Sequence, residues 1–336
     1  MSARAWRLAA WIVVAGGVAA ALSPVPQAPA PPRWPDPAAT RQLVWFDRAG
    51  RPSLLPAPPR GYVYSRLAAD AATVALDIRD DQPGVWTWSM DDRVLRPLST
   101  GRAGDIAPVW AADRAVLFTR GRGVTPGLFR SPAGPPAAGA ERLRFDAPTL
   151  PMLTSAHPDG RHLLATVVAA SGFDIVALDL ETAAVRPLVT SSADDLNGEV
   201  SPDGRWVAYQ SRRSGQFEIW LRRWSTSLDD GWRITSGGGT RPVWTRGGRE
   251  LVYLTHDGEV RSIETAANPA LPHGLSFGAP RRLFAADVYR EPVGRTFDVS
   301  ADGDHLLAIV EHAAALAPST PAFTKLNLTP HGRPVS

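Results

Sequence analysis

Gly274, Ser276 and Gly278 have the Gly-x-Ser-x-Gly spacing of a nucleophile elbow, which presents a serine hydroxyl on a sharp strand-to-helix turn. Here the motif lies between Pro272 and Pro280 with no helical pattern after it, so no hydrolase nucleophile is assigned. Gly237, Gly238 and Gly239 could cradle a phosphate on their amides, but no Lys-Ser/Thr pair or helix follows, and a tight turn is expected instead. The histidines His157, His162, His256, His273, His305, His312 and His331 show no metal-ligand spacing with a second His or Cys. His157 takes a turn position and His162 and His305 open strands, which suits half-exposed residues. The doublets Asp80-Asp81, Asp194-Asp195 and Asp229-Asp230 lack the alternating pattern of a calcium loop and read as solvated turns. Twelve tryptophans, many in strand-like runs, suit a packed core better than a sugar-binding platform. No catalytic residue, metal or cofactor is expected.

The elements that would position any site are plainest at residues 201–221. Ser-Pro-Asp-Gly at 201–204 has the composition of a turn, because proline presets φ, Asp203 bonds neighbouring backbone and Gly204 takes the closing conformation. Trp206, Val207, Ala208 and Tyr209 then leave neither side of a strand polar, as in a sheet packed on both faces. Phe217, Ile219 and Leu221 alternate with Glu218, Trp220 and Arg222, the period of a second strand.

This unit recurs at Asp70, Asp113, Asp159, Asp203, Gly247 and Asp302, at spacings of 43, 46, 44, 44 and 55 residues. Each is followed by a short apolar run, such as Thr-Val-Ala-Leu at 73–76 or His-Leu-Leu-Ala at 305–308. A period of this length carrying about four strands is that of a propeller blade, and the 3.6 periodicity of a helical repeat is missing. Pro-Val-Trp precedes two of the turns and puts Trp110 and Trp244 at equivalent points. A long insertion at 268–280 explains the 55-residue interval.

Ser-Pro-Asp-Gly-Arg at 201–205, with Phe-Glu-Ile-Trp-Leu at 217–221, resembles the WD-repeat-like motif of TolB-type proteins. The runs at 42–50, 234–244 and 297–303 are similar to the six-bladed propeller in the extracytoplasmic half of bacterial membrane serine/threonine kinases. The kinase motifs themselves are missing from this chain. The resemblance covers about residues 42–330 and implies an all-β, six-bladed propeller of four-stranded antiparallel blades. Copies one and two lack the Pro and Gly of the turn, and the fifth has Gly247 in place of Asp. The ring is expected to close by joining a strand at 43–46 to one at 323–328, so that N- and C-terminal strands complete one blade and no sheet edge stays open.

The expected organisation is a signal peptide or anchor at 1–23, a Pro-rich linker at 24–40, the propeller at 41–330 and a tail at 331–336. Arg4 and Arg7 precede an uncharged run at 8–22, and cleavage after Ala21 is the reading favoured by the small residues there. Retention of that run as a single-pass tether is the alternative, with the linker as a stiff spacer. An exported, periplasmic, extracellular or membrane-anchored location follows, and the chain has no cysteine with which to form a disulfide. Net charge is +3 with no concentrated basic surface, which excludes a nucleic-acid footprint.

In a propeller of the kind this resemblance implies, the loops entering each inner strand gather around the channel mouth, opposite the Asp-Gly turns. Those loops carry Arg102, Asp105, Asp146, Asp194, Asp195, Asn197, Arg241, Arg290 and Glu291 as candidate ligand-binding residues. The expected role is non-catalytic recognition of a protein, peptide or envelope polymer by a monomer. The alternatives are an enzyme using mouth carboxylates and histidines, and a structural scaffold within an envelope complex.

Overall fold

The computed structural model describes residues 40–99, 104–121, 126–133, 139–144, 149–170, 172–224, 231–271, 274–290 and 293–311. They form six antiparallel sheets with almost no helix. From the channel outward, blade 1 contains Tyr62–Leu67, Thr73–Ile78, Gly84–Ser89 and Val94–Pro97. Blade 2 contains Asp105–Trp110, Ala115–Arg120, Gly127–Pro132 and Glu141–Leu143, and blade 3 Met152–Ala156, His162–Ala169, Gly172–Asp179 and Val185–Val189. Blade 4 is Asp195–Val200, Trp206–Ser211, Glu218–Arg223 and Trp232–Arg233. Blade 5 has Thr240–Thr245, Glu250–Leu254 and the long Glu259–Ala267, whose first half pairs Arg281–Ala285 and whose far end pairs Leu275–Phe277. The insertion is therefore a hairpin extension of a blade that keeps its outer strand.

Blade 6 unites the ends of the described chain. Its inner strands are Phe297–Val299 and His305–Val310, and its outer strands are Gln42–Asp47 and Pro52–Leu54. Gln42 pairs with Val310 and Asp47 with His305, with unbroken register between them. The expected strand at 323–328 lies outside the described residues. Each blade's innermost strand packs on that of the next, and blade 6 on blade 1, so blades 1 and 4 face each other across the channel.

The core is six apolar clusters, one at each blade interface. Alternation along a strand sends neighbours to opposite interfaces. Val207 and Tyr209 pack on blade 3, whereas Trp206 and Ala208 pack on blade 5. This is why the run at 206–209 has no polar side, and why its tryptophan is core.

All five Asp turns share one bond: the amide two residues on donates to the carboxylate, from Ala72, Ala115, Arg161, Arg205 and Asp304. The residue after the Asp is left-handed whether or not it is glycine, with φ of +54° at Ala71, +68° at Arg114 and +72° at Gly204. Gly247 has no carboxylate to offer, and there a short 3-10 turn at Arg246–Gly248 makes the connection.

Candidate functional site

The mouth is shaped by a repeated kink. Ala107, Asn197 and Arg241 stand six residues before their respective turns and adopt φ of +52°, +51° and +52°. The strand register breaks around each of them. A left-handed non-glycine residue bulges the strand and re-aims its side chain.

Two of these kinks meet. The Asn197 side-chain amide donates to Gln210 Oε1 at 2.9 Å, and the Arg241 backbone amide donates to the same oxygen at 2.9 Å. The Gly294 amide donates to Asn197 Oδ1 at 2.9 Å, and Arg241 Nε donates to the Gly294 carbonyl at 3.0 Å. Blades 4, 5 and 6 are thereby tied together at the mouth. Beside this network is a cavity of about 240 Å³ bordered by Gln210, Phe217, Thr240, Arg241, His256 and Arg290, among others. Arg290 is exposed and donates to the His256 carbonyl at 2.8 Å.

The other expected mouth residues do not converge there. Asp105 is buried in a two-point pair with Arg120 at 2.6 and 2.8 Å. Asp195 is buried and accepts from Ser191 Oγ at 2.7 Å; burial raises its carboxyl against the pull of the serines and Arg213. Asp194 lies 3.7 Å from Arg212. Arg102, Asp146 and Glu291 lie outside the described residues.

Below the mouth the channel is crossed by ion-paired side chains. Arg66 of blade 1 reaches Glu199 of the opposite blade with two hydrogen bonds, 3.1 and 3.2 Å long. Arg295 donates to Glu199 at 2.7 Å and to the Pro242 carbonyl at 2.8 Å. Burial opposes the Arg66 charge, but Glu199 and Asp298 outweigh it and raise its pKa. Asp298 stands 3.6 Å from Arg66 Nε, and there burial prevails and pushes the carboxyl up. The charged positions lie four residues before the turns at Asp70, Asp203 and Asp302, where blades 2 and 5 carry Val109 and Val243.

Two motifs with possible chemistry resolve into structure. Gly238 directs its amide at both oxygens of Glu218, 3.1 and 3.0 Å away, so the glycine run holds a carboxylate of its own chain. Ser276 sits in the Leu275–Phe277 strand, where its hydroxyl donates to the Ala266 carbonyl at 3.3 Å. No nucleophile elbow forms. The fold brings together three residues that their sequence spacing did not single out: His157, Asp159 and His162 have ligand atoms within 4.8 Å of one another. Their spacing of two and three residues matches no helical or Cys-pair pattern, and only the turn around Gly160 unites them.

No family model matches the chain. The structure of a protein assigned as TolB from Agrobacterium tumefaciens superposes with a TM-score of 0.64 at 18% identity, covering 81% of this chain and 98% of that one. The chain has the TolB-like propeller fold. An oligogalacturonate lyase solved in complex with manganese shares this TolB-like ring at a TM-score of 0.51 and 14% identity, with 79% and 78% covered. An uncharacterized protein of Agrobacterium fabrum, Atu1656, is 30% identical over 105 residues, 31% of this chain. The match spans 35% of that relative's length. No helix among the described residues is long and apolar enough to cross a membrane, and residues 8–22 lie outside them.

Proposed function

We propose that this TolB-like propeller is an exported, non-catalytic binding module that recognises a protein or peptide, or an envelope polymer, at its channel mouth. The observation that carries the reading is the cavity beside Arg241, where the exposed Arg290 adds a second guanidinium. A rigid concave site with a few convergent polar groups suits recognition, and two arginines favour an acidic side chain or a terminal carboxylate. The mouth and channel acids support a non-catalytic role: Asp105 is already engaged by Arg120, and Glu199 by Arg66 with Arg295. A carboxylate held that way is poorly placed to exchange protons with a substrate. In this reading the leader exports a monomer, and residues 8–22 are either cleaved or kept as a tether. No nucleic-acid partner or cofactor is invoked.

The test is selection of peptides from a displayed random library on the immobilised protein, followed by affinity measurement on the enriched sequences. Enrichment of acidic or carboxylate-terminated peptides, with at least a tenfold loss of affinity in Arg290→Glu, supports the proposal. The competing reading is an enzyme acting on a polymer at the same mouth. Turnover of an acidic oligosaccharide or a peptide, abolished by Glu199→Gln in protein that remains folded, would replace binding with catalysis.

A further inference from the structure

The face opposite the mouth carries a second constellation, at the turn of blade 3. Where blades 4 and 6 open their turns with Ser201 and Ser300, whose hydroxyls donate to Asp203 and Asp302, blade 3 has His157. His157 Nδ1 lies 3.0 Å from Asp159 Oδ2, and His162 Nδ1 lies 2.6 Å from the same oxygen.

We propose that His157, Asp159 and His162 form a binding site for a divalent transition-metal ion of the zinc class. Two imidazoles and one carboxylate are a donor set suited to zinc, which takes nitrogen and oxygen ligands at about 2.0–2.2 Å. Ligand atoms around such an ion stand about 3.3–3.5 Å apart by tetrahedral geometry. The contacts of 2.6 and 3.0 Å, within a set spanning at most 4.8 Å, need only small side-chain rotations to reach it.

Independent support comes from what lies behind the ligands. His157 Nε2 is 2.9 Å from the Gly204 carbonyl on the turn of blade 4. A carbonyl only accepts, so Nε2 carries the hydrogen and Nδ1 presents its lone pair toward Asp159. Outer hydrogen bonds of this type fix the tautomer of metal-binding histidines. The weak donation from the Asp159 amide to Nδ1, at 3.2 Å, would be given up to the ion. On the far side of His162, Nε2 stands 3.9 Å from an Asp179 oxygen. Trp224 lies against the His157 ring at 4.5 Å between centroids and gives the site an apolar wall. Binding through Nδ1 moves the His162 hydrogen to Nε2, on the side of Asp179, leaves a coordination position for solvent, and clips blade 3 to blade 4 through the Gly204 carbonyl.

The experiment is calorimetric titration of untagged protein with Zn²⁺ alone, checked by Co²⁺ absorption. One ion per chain is expected, with affinity falling at least tenfold in His162→Gln and in Asp159→Asn, and with a higher Tm in excess Zn²⁺. His162 is half-exposed, so His162→Gln decides the matter if Asp159→Asn fails to fold. No saturable binding, or equal binding by folded His162→Gln, overturns the proposal.

Discussion

Arg66 and Glu199 stand on opposite blades and join in a two-point ion pair across the channel. The pair is buried, and Arg295 shares the same carboxylate. A buried pair need not stabilise relative to apolar residues, but removing one member leaves the other charge uncompensated. Glu199→Ala strands the Arg295 guanidinium and leaves Arg66 with Asp298 alone. It should cost about 3–5 kcal/mol in denaturant unfolding, and a loss below about 1 kcal/mol would show that water reaches the channel and screens it.

Trp110 and Trp244 do the same work on two blades. Each indole N–H donates to a carbonyl of the preceding blade, Trp110 to Arg66 at 2.9 Å and Trp244 to Glu199 at 3.2 Å. Trp244→Phe keeps most of the buried ring and deletes the donor, so a loss of about 1–2 kcal/mol is expected. Trp110→Phe should match it within experimental error when both are measured by the same denaturant titration.

Turn glycine and its substitutes give changes of opposite sign. Gly204 has φ of +72°, and a Cβ there would stand 2.8 Å from the His157 ring. Gly204→Ala should therefore cost at least about 1–2 kcal/mol from the backbone alone. Arg93, exposed with φ of +55°, is held left-handed in a turn where its amide donates to the Ser89 carbonyl, a bond that glycine keeps, and Arg93→Gly should stabilise by about 0.5–1 kcal/mol. Thermal unfolding of both variants checks the pair of signs.

Acid sensitivity should be traceable to Asp80. Burial alone would raise its carboxyl, but the Arg60 guanidinium and the Gly61 and Gln82 amides outweigh this and hold it at about 2. A depressed carboxylate stabilises the fold above its unfolded value of about 3.9, and that contribution disappears as pH falls through the folded value. Asp80→Asn should thus be less stable than the native chain at pH 7. Unfolding measured at stepped pH should show the gap narrowing below about pH 4 and nearly closed by about pH 2.

The ring was legible because turn chemistry is local. Asp, the residue after it and the following strand lie within a few positions, and even in the copies placed by spacing alone Ala71 and Arg114 are left-handed. The origin of the closing blade was half legible: a strand at 43–46 was expected to join one at 323–328, and its described partner is His305–Val310. Of the expected mouth residues, Asn197 and Arg241 share Gln210 and Gly294 as partners, whereas Asp105 and Asp195 turn inward to Arg120 and Ser191. Side-chain direction depends on bulges that composition does not announce. The channel ions were missed because Arg66 and Glu199 are 133 residues apart. A signal existed: aligning the copies four residues before each turn puts Arg66, Glu199 and Asp298 in register with Val109 and Val243. Charge where other copies carry valine, or serine at Ser155, marks an inward-facing polar site.

The sixth blade borrows two strands from each end of the described propeller, and this has a cost during biogenesis. Until His305–Val310 arrives, Gln42–Asp47 pairs only with Pro52–Leu54 and its inner edge has nothing to zip against, so the unfinished fan presents raw backbone at both margins. Completion is consequently a late, all-or-none latch. A protease that trims either margin past these strands would unfasten the whole wheel instead of shortening it.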